Sequence, residues 1–431
     1  MPAGGRAYVS DSGFVFPIRG RRPYAVMIDN QGSRVLPQGG LDKAQIIYEI
    51  IVEGGITRFM PVFWTQAETQ LSDAQSDAQA EPESAGQGAA GYAGVTGAAG
   101  AAGADATGTG AAGAAGSAGS AGITGAAGTG ATGTGAAGSA SVAGSASVAG
   151  SAGAAGGAGA IGTLGAPKTD AVAEARETAP AAITREAPYD GDPLPIVGPV
   201  RSSRHYFLNY VMEHDAIYFH IGQSYIALRE FSQLKIDRVD NGGVYHDLTR
   251  NRNNWQDSFT SSAKMRDYVE KHDYRQNTQQ PHVFTYYLSD QPLAGGAACA
   301  QLKLKYSASY YADYAYDAAS GLYLRSRNGS PHMARETESG TGTDTRISAK
   351  NILIQFIRNS VYDSEDRQEL HDVGSGDGWY VTLGKAVKIH WSKASRRDGT
   401  VLSDDAGNPI VLNPGQTFVQ IMPLGSDVAM E

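Results

Sequence analysis

The stretch from about Gln66 to Pro193 constrains the fold more than any other part of the sequence. It consists mainly of Gly, Ala, Ser and Thr and carries almost no large apolar side chains. Such a composition buries too little apolar surface to offset the conformational entropy that folding removes. Residues 66–193 are therefore predicted to be a disordered low-complexity insertion. Roughly 300 residues remain for folded structure, which is enough for two domains.

Glycine recurs at every third position from Gly91 to Gly103 and from Gly110 to Gly128, which is the period of collagen. The period breaks at Asp105 and at Gly130, and no proline lies between Glu83 and Ala166. A stable triple helix needs both a strict period and imino acids. Disorder is therefore favoured over a collagen-like structure.

Charge and cysteine content bound the function classes. The insertion holds twelve acidic and three basic residues, which equals the net charge of −9, so the rest of the chain is neutral. A neutral folded part without a basic stripe argues against nucleic acid as a partner. Cys299 is the only cysteine, so no internal disulfide can form. No apolar stretch approaches the roughly 20 residues of a membrane-spanning helix.

Three strands are predicted before the insertion, at 24–29, 46–53 and 59–64. Three strands without a helix make a poor independent core. Residues 1–65 plus 194–298 are therefore predicted to form one split N-terminal domain. Lengthening a loop from about 10 to about 130 residues costs only about 2 kcal/mol of closure entropy, so the insertion can be tolerated inside a domain.

Helical and extended patterns alternate after the insertion. Ser202 or Ser203 is placed to cap one helix, SYIALREFSQL predicts a second with Leu228 and Phe231 facing inward, and SSAKMRDYVEKH predicts a third. The strand AIYFHIG and a hairpin over Asn241–Gly242 are predicted between them. This pattern is typical of a mixed α/β domain.

From Leu302 to Tyr316 the period changes to two. The even positions are apolar or aromatic and the odd ones mostly polar, which predicts a long amphipathic strand or hairpin. NILIQFI, WYVTLGKAVKIHW and FVQIMP continue in this style, with turns predicted at Ser375–Gly378, Gly384 and Asp405–Asn408. Residues 299–431 are therefore predicted to form a smaller, mainly antiparallel β domain, and the whole chain an α+β fold.

Six separated motifs occur in a characteristic order along the chain. They are GGLDKAQIIYEIIVEGGITRF (Gly39 to Phe59), GPVRSSR (Gly198 to Arg204), GLYLRSRNGSPH (Gly321 to His332), AKNILIQ (Ala349 to Gln355), VGSGDGWY (Val373 to Tyr380) and LNPGQTFVQI (Leu412 to Ile421). Together they resemble the YerB-like lipoprotein family, bacterial two-domain proteins of unknown function.

The resemblance implies an extracytoplasmic, membrane-associated or cell-surface location. In that family the sequence matching FMPVFW runs within a short loop into the one matching IVGPVRSSR, which also implies an insertion inside one domain. Members usually begin with an apolar secretory segment and a lipid-modifiable cysteine, which the sequence MPAGGRAYVSDSGF lacks. The interpretation is a trimmed chain, a start assigned too late or a lost anchor.

Glu49, Glu53 and Arg58 form the main candidate site. Acidic side chains in an apolar strand are costly unless they are paired or hydrogen-bonded. In one interpretation, a carboxylate and Arg58 bind a polar or charged ligand, helped by the amides of Gly54–Gly55. In the other, which is favoured, Arg58 and Arg201 complete a buried ion-pair network that holds the two halves of the split domain together.

Two further features are candidates for ligand binding. Arg201 and Arg204 lie beside a predicted helix start, where amide groups and the helix dipole favour an anion; pairing of Arg201 with Glu49 or Glu53 is the alternative. His220 ends a strand, where ligand-facing groups often lie in α/β sheets.

The remaining histidines carry less weight. His246 with Asp247, and His332, are interpreted as structural hydrogen-bonding groups before they are interpreted as bases or metal ligands. Trp255–Gln256–Asp257 stands where the family has a Pro-His-Asn step, and Ala334 stands where it has an acid. No metal-ligand spacing appears, so no metal site, cofactor or catalytic residue is predicted.

These observations predict a non-catalytic cell-envelope protein. Its ligand, a cell-wall component or an envelope protein, is expected to bind in a cleft formed by Glu49, Glu53, Arg58, Arg201 and His220. The alternative is a hydrolase or transferase acting on a wall polymer, with Glu53 as acid or base and His220 assisting. A third interpretation makes the acidic insertion the interacting element.

Overall fold

The computed structural model describes residues 9–64, 194–248, 257–339 and 343–431. The insertion predicted at 66–193 lies outside these residues. Within them the chain is mostly sheet with three helices, α1 (Phe207–Glu213), α2 (Tyr225–Leu234) and α3 (Ser262–Lys271). None of the described helices has the length and the apolar run needed to cross a membrane.

Strands supply most of the regular structure and lie on both sides of the insertion. Up to residue 298 they are β1 (Tyr24–Val26), β2 (Ile28–Asp29), β3 (Gln38–Gly39), β4 (Ile46–Ile51), β5 (Thr57–Phe63), β6 (Ile217–Phe219), β7 (Arg238–Val239), β8 (His246–Asp247), β9 (Ser258–Phe259) and β10 (Ala297–Ala298). After residue 298 they are β11 (Gln301–Lys305), β12 (Tyr311–Asp317), β13 (Leu322–Arg327), β14 (Ser330–Pro331), β15 (Met333–Arg335), β16 (Thr345–Arg346), β17 (Ser348–Ala349), β18 (Asn351–Ile357), β19 (Asn359–Val361), β20 (Gln368–Leu370), β21 (Gly374–Thr382), β22 (Lys385–Lys393), β23 (Val401–Ser403), β24 (Thr417–Pro423) and β25 (Asp427–Met430).

Twelve of these strands form one mixed sheet. Its order is β10-β22-β21-β18-β24-β4-β5-β1-β6-β7, with β2 beside β5 and β23 beside β22. β4 lies in the middle and is buried at every position, which explains its continuous apolar run. β24 pairs with β4 in parallel, so that Gln420 lies opposite Glu49. This sheet contains strands from before and after residue 298. The division into two domains at that residue stays a prediction.

A second, six-stranded antiparallel sheet contains the segment with period two. Its order is β14-β13-β12-β11-β25, with β17 beside β13. β11 and β12 form the predicted hairpin, in which Leu302 pairs with Tyr314 and Leu304 with Ala312. These four side chains are buried, so the alternation in the sequence marks the core face. The mainly antiparallel C-terminal sheets are thereby confirmed, and the mixed α/β character of the N-terminal domain stays a prediction.

Three local predictions after the insertion are wrong. The Asn241–Gly242 hairpin does not form, because β7 pairs in parallel with β6 and β8 pairs with β9. The N-cap of α1 is Tyr206 and has no capping side chain. Ser224 and Ser261 cap α2 and α3, which lie within the two other predicted helical segments. Leu228 is exposed although Phe231 is buried, so the buried stripe of α2 is narrower than predicted.

The predicted turn at Ser375–Gly378 is also wrong, since these residues lie within β21. Close packing explains the glycines: a Cβ on Gly378 would lie 2.0 Å from the carbonyl oxygen of Ile354, and one on Gly376 would lie 2.8 Å from the indole nitrogen of Trp391. The turn between β21 and β22 falls instead at the predicted Gly384, which has a φ of +75°.

Candidate functional site

Three arginines and two carboxylates meet beside the β2–β5 pair of the large sheet. We call Asp29, Glu53, Arg58, Arg201 and Arg204 the arginine cluster. Asp29 ends β2 and lies opposite Arg58 of β5 in the strand register. Glu53 opens the one-turn 3-10 segment between β4 and β5. Arg201 and Arg204 come from the segment before α1. The cluster therefore joins chain from both sides of the insertion.

Two glycines shape the turn that positions Glu53 and Arg58. Gly54 and Gly55 have φ angles of +66° and +69°, a region that residues with a Cβ rarely adopt. A Cβ on Gly55 would also lie 2.7 Å from the Cβ of Ser307. The Gly-Gly step is thus required by the backbone and by the close approach of the β11–β12 connection.

Glu53 is held by two guanidinium groups. Arg204 donates from Nε to Glu53 Oε2 at 2.9 Å and from Nη2 to Oε1. Arg58 donates from Nη2 to the same Oε1 at 3.2 Å, and from Nη1 to the carbonyl oxygen of Ser202 at 2.5 Å. The Nε of Arg58 is buried and has no acceptor among the described residues. One donor of the most buried arginine in the cluster is therefore unused by the described residues.

Arg201 is the most exposed arginine of the cluster. Its Nε lies 3.2 Å from Asp29 Oδ2, and its side chain is 24% exposed, whereas that of Asp29 is fully buried. The amide of Arg201 also donates to the carbonyl oxygen of Met27 at 2.8 Å, which fixes the segment against the strand edge. Arg201 is thus anchored at its backbone and keeps part of its side chain exposed to solvent, although its Nε is buried.

Burial and the opposing charges shift the pKa values within the cluster. Burial raises the pKa of Glu53, but the hydrogen bonds from Arg204 and the charges of Arg58 and Arg204 outweigh it, and the pKa falls to about 2. Burial, followed by the charge of Arg204, lowers the pKa of Arg58 to about 10, which still leaves it charged at neutral pH. Burial raises the pKa of Asp29 in spite of its arginine neighbours. Three guanidinium groups against two carboxylates leave an excess of positive charge.

Glu49 lies outside the arginine cluster. It is fully buried and pairs with the equally buried Arg325 of β13, with Arg325 Nη2 2.8 Å from Glu49 Oε2. Thr57 donates to Glu49 Oε1 at 2.9 Å, and the hydroxyl of Tyr310 donates to the same oxygen. Because β4 belongs to the large sheet and β13 to the six-stranded sheet, this network connects the two sheets.

His332 extends the Glu49–Arg325 network. Its Nδ1 lies beside Arg325 Nη1, and its Nε2 lies 2.8 Å from the side-chain oxygen of Gln38. Burial, followed by the charge of Arg325, lowers the pKa of His332 well below its usual value. A neutral histidine enclosed in this way acts as a hydrogen-bonding group of the interior.

His220 follows the end of β6, as predicted, but its ring packs under α2. The ring stacks on Phe231 with centroids 5.0 Å apart and planes 2° apart. Its Nδ1 lies 2.9 Å from the carbonyl oxygen of Gly222, while its Nε2 has no partner among the described residues. Burial lowers the pKa of His220 to about 4. No described contact joins its side chain to the arginine cluster.

Five residues were predicted to share one cleft, and the structure separates them. It brings Glu53, Arg58 and Arg201 together and places Glu49 and His220 elsewhere. A ligand-binding role stays a prediction for all five. Among the described residues, no group of three or more His, Cys, Asp and Glu side chains is arranged to hold a metal ion.

Two participants were not predicted from the sequence. Asp29 ends the strand YAVMID, and a carboxylate at the end of a buried strand could have been flagged. Arg325 lies two residues after the buried Tyr323 in LYLRSR, so both side chains lie on the same face of the strand. An arginine at an inward-facing position of the alternation could have indicated a buried ion pair.

Comparison with known proteins places the chain in a family. Residues 17–107 and 164–275 match the model described as "Protein of unknown function (DUF3048) N-terminal domain", and residues 302–419 match the corresponding C-terminal domain. The chain is 24% identical over 266 residues to "Putative lipoprotein YerB" of Bacillus subtilis, covering 59% of this chain and 75% of that protein. It also superposes on the crystal structure of YerB from Bacillus subtilis with a TM-score of 0.57 at 17% identity, covering 95% and 94% of the two chains. That likeness shows a shared fold.

Proposed function

Since this chain belongs to the YerB-like family of DUF3048 proteins, we propose that it is a non-catalytic binding module of the bacterial cell envelope. Its ligand is a cell-wall component or an envelope protein, held through an anionic group at the arginine cluster. In this proposal, residues 1–65 and 194–298 form the split mixed α/β domain that carries the cluster. Residues 299–431 form the β-rich domain.

One observation carries the proposal: the arginine cluster has more cations than carboxylates and keeps one cation within reach of solvent. An arginine guanidinium group can donate two parallel hydrogen bonds to a carboxylate or a phosphate. Arg201 combines a fixed backbone with a partly exposed side chain. Arg58 and Arg204 supply further positive charge behind it, where burial strengthens electrostatic attraction.

The hydrolase alternative is less well supported. A general acid or base works best with a pKa near the operating pH. The pKa of Glu53 is about 2, so the group would be an unprotonated, strongly paired carboxylate at neutral pH. His220, the proposed assistant, stacks on Phe231 instead of facing Glu53. Binding therefore accounts better than catalysis for the way these side chains are held.

The proposal is tested by co-sedimentation of the purified chain with isolated bacterial cell-wall sacculi. Wild type is expected to sediment with the sacculi, and Arg201→Ala to bind about tenfold more weakly, because a hydrogen bond between charged groups is lost. Arg275→Ala is the matched control. Arg275 is also paired with an aspartate, since its Nη2 lies 2.7 Å from Asp215 Oδ1. Asp215 precedes β6, whereas the arginine cluster lies beyond the C-terminal end of that strand.

Two results would contradict the proposal. Retention of Arg201→Ala equal to that of wild type would exclude the arginine cluster as the binding site. Wall fragments in the supernatant, detected by mass spectrometry, would favour the hydrolase and make Glu53→Gln the next variant to assay.

A further inference from the structure

Two exposed tyrosines lie along the segment that carries Arg201 and Arg204. The first is Tyr225, the opening residue of α2, whose side chain is 78% exposed. The amide of Ser224 donates to the carbonyl oxygen of Ser203 at 3.0 Å, and the amide of Ser203 donates to that of Gly222 at 3.0 Å. These bonds fix the start of α2 directly beside the arginines.

The second is Tyr362, in the connection between β19 and β20, which is 39% exposed. Its ring lies 6.1 Å from the ring of His205, the residue after Arg204. His205 is itself tied to the hairpin, because its Nε2 lies 2.8 Å from Glu369 Oε2 on β20. Burial, followed by the charge of Asp363, raises the pKa of Tyr362, while the charges of Arg367 and Arg204 oppose that rise.

Further positive charge lies close to the same segment. The buried Nε of Arg58 has no acceptor among the described residues. The N-terminus of α2, a ten-residue helix, adds the positive end of its dipole beside Ser203. An exposed tyrosine ring presents a rigid apolar face with a polar tip, which suits a ligand that has both apolar and polar surfaces. A sugar that carries an acidic group has both the apolar face and the charge.

We propose that the arginine cluster, with Tyr225 and Tyr362, binds an anionic sugar unit. The guanidinium group of Arg201 takes the carboxylate or phosphate, and the tyrosine rings cover a face of the sugar. This inference rests on the proposed function and narrows its ligand from any wall component or envelope protein to an acidic glycan.

Small probes test the ligand class directly. Glucuronate, glucose 6-phosphate, uncharged glucose and inorganic phosphate are titrated into the full chain, and binding is followed by NMR. The two charged sugars are expected to bind about tenfold more tightly than either glucose or inorganic phosphate, since each of those lacks one half of the recognition. A preference for only one of the charged sugars identifies the acidic group.

Variants separate the two halves of the site. Arg201→Ala is expected to remove the preference for charged sugars over glucose. Tyr225→Ala and Tyr362→Ala are each expected to weaken binding of the charged sugars by roughly three- to tenfold and to leave inorganic phosphate unchanged. Tyr287→Ala is the control, because Tyr287 is 41% exposed and hydrogen-bonds to Leu412 through its amide, away from the cluster.

Failure of this inference is distinguishable from failure of the proposed function. If inorganic phosphate binds as well as glucose 6-phosphate and the tyrosine variants bind as wild type, the sugar assignment is overturned. If sacculi are retained through Arg201 but none of the four probes binds, the assignment is again overturned and the envelope-binding function stands. If wild type is not retained on sacculi at all, a cell-wall ligand is excluded and the sugar assignment falls with it, which leaves an envelope protein as the ligand of the proposed function.

Discussion

Arg325→Met tests the role of the buried ion pair between the two sheets. Arg325 and Glu49 are both fully buried, 2.8 Å apart at their closest atoms. Methionine fills a similar volume with an apolar side chain, so the variant removes the charge and the donors while limiting the cavity. Among the described residues, it leaves the buried Glu49 carboxylate with only Thr57 and Tyr310 as donors.

The expected loss follows from the charges. At 2.8 Å and an effective dielectric constant of about 20, the attraction is worth about 6 kcal/mol. Part of this is offset because Arg325 no longer has to be desolvated. Removing one partner of a buried pair typically costs about 3–5 kcal/mol, and we expect Arg325→Met to lower the free energy of unfolding by that amount.

Urea unfolding at pH 7, followed by tryptophan fluorescence, measures this loss. Lys303→Met is the control, because Lys303 forms a half-exposed pair with Asp313 at 3.7 Å in the same sheet and its loss should change little. The double variant Glu49→Leu with Arg325→Met should be more stable than Arg325→Met alone, since it removes the stranded carboxylate. A loss below about 1 kcal/mol in Arg325→Met, or a double variant that is no more stable than Arg325→Met, would refute this reasoning.

Three further predictions concern pH and the glycine turn. The folded pKa of Glu53 is lowered to about 2, so the stabilisation that its carboxylate supplies is present above the unfolded pKa and is lost as pH falls. Glu53→Gln should therefore lower the free energy of unfolding by about 2–3 kcal/mol at pH 7. In urea titrations, the difference in this free energy between the variant and wild type should shrink between pH 5 and pH 2. The folded pKa of His220 is lowered to about 4, so the unfolded chain binds the proton more readily than the folded chain between pH 4 and 6.5. Wild type should therefore lose stability as pH falls through that window. His220→Phe should flatten the dependence of stability on pH there, and an unchanged dependence would contradict the assignment. Gly55→Ala should destabilise the fold more than Gly54→Ala, since an added Cβ would lie 2.7 Å from the Cβ of Ser307 at Gly55 but would contact no described residue at Gly54. Ser307→Gly should restore part of the stability that Gly55→Ala loses.

Local patterns predicted those elements whose partners lie nearby in sequence. The alternation from Leu302 to Tyr316 predicted a hairpin because its two strands pair with each other. The segments SYIALREFSQL and SSAKMRDYVEKH predicted α2 and α3, whose caps, Ser224 and Ser261, bond to amides only three residues away. The Asn241–Gly242 hairpin was predicted wrongly because β7 pairs with β6, which lies earlier in the chain, and no local sequence pattern indicates that pairing.

The candidate site could be predicted only in part. The need to pair Glu49 and Glu53 was evident from their position in an apolar run, but the identity of their partners was not. Glu49 pairs with Arg325, 276 residues away, and Glu53 pairs with Arg204, 151 residues away across the insertion. Such pairs are set by the packing of sheets and loops. The same packing separates Glu49 from Glu53, because β4 ends at Ile51 and the chain turns before Glu53.

The central claim is that the arginine cluster holds an anionic group of an envelope ligand. Its most direct test is the affinity of wild type, Arg201→Ala and Arg275→Ala for isolated sacculi, measured by co-sedimentation at low and high ionic strength. We expect wild type and Arg275→Ala to bind alike and to weaken with salt, and Arg201→Ala to bind about tenfold more weakly at low salt. Equal retention of all three proteins at both ionic strengths would contradict the claim.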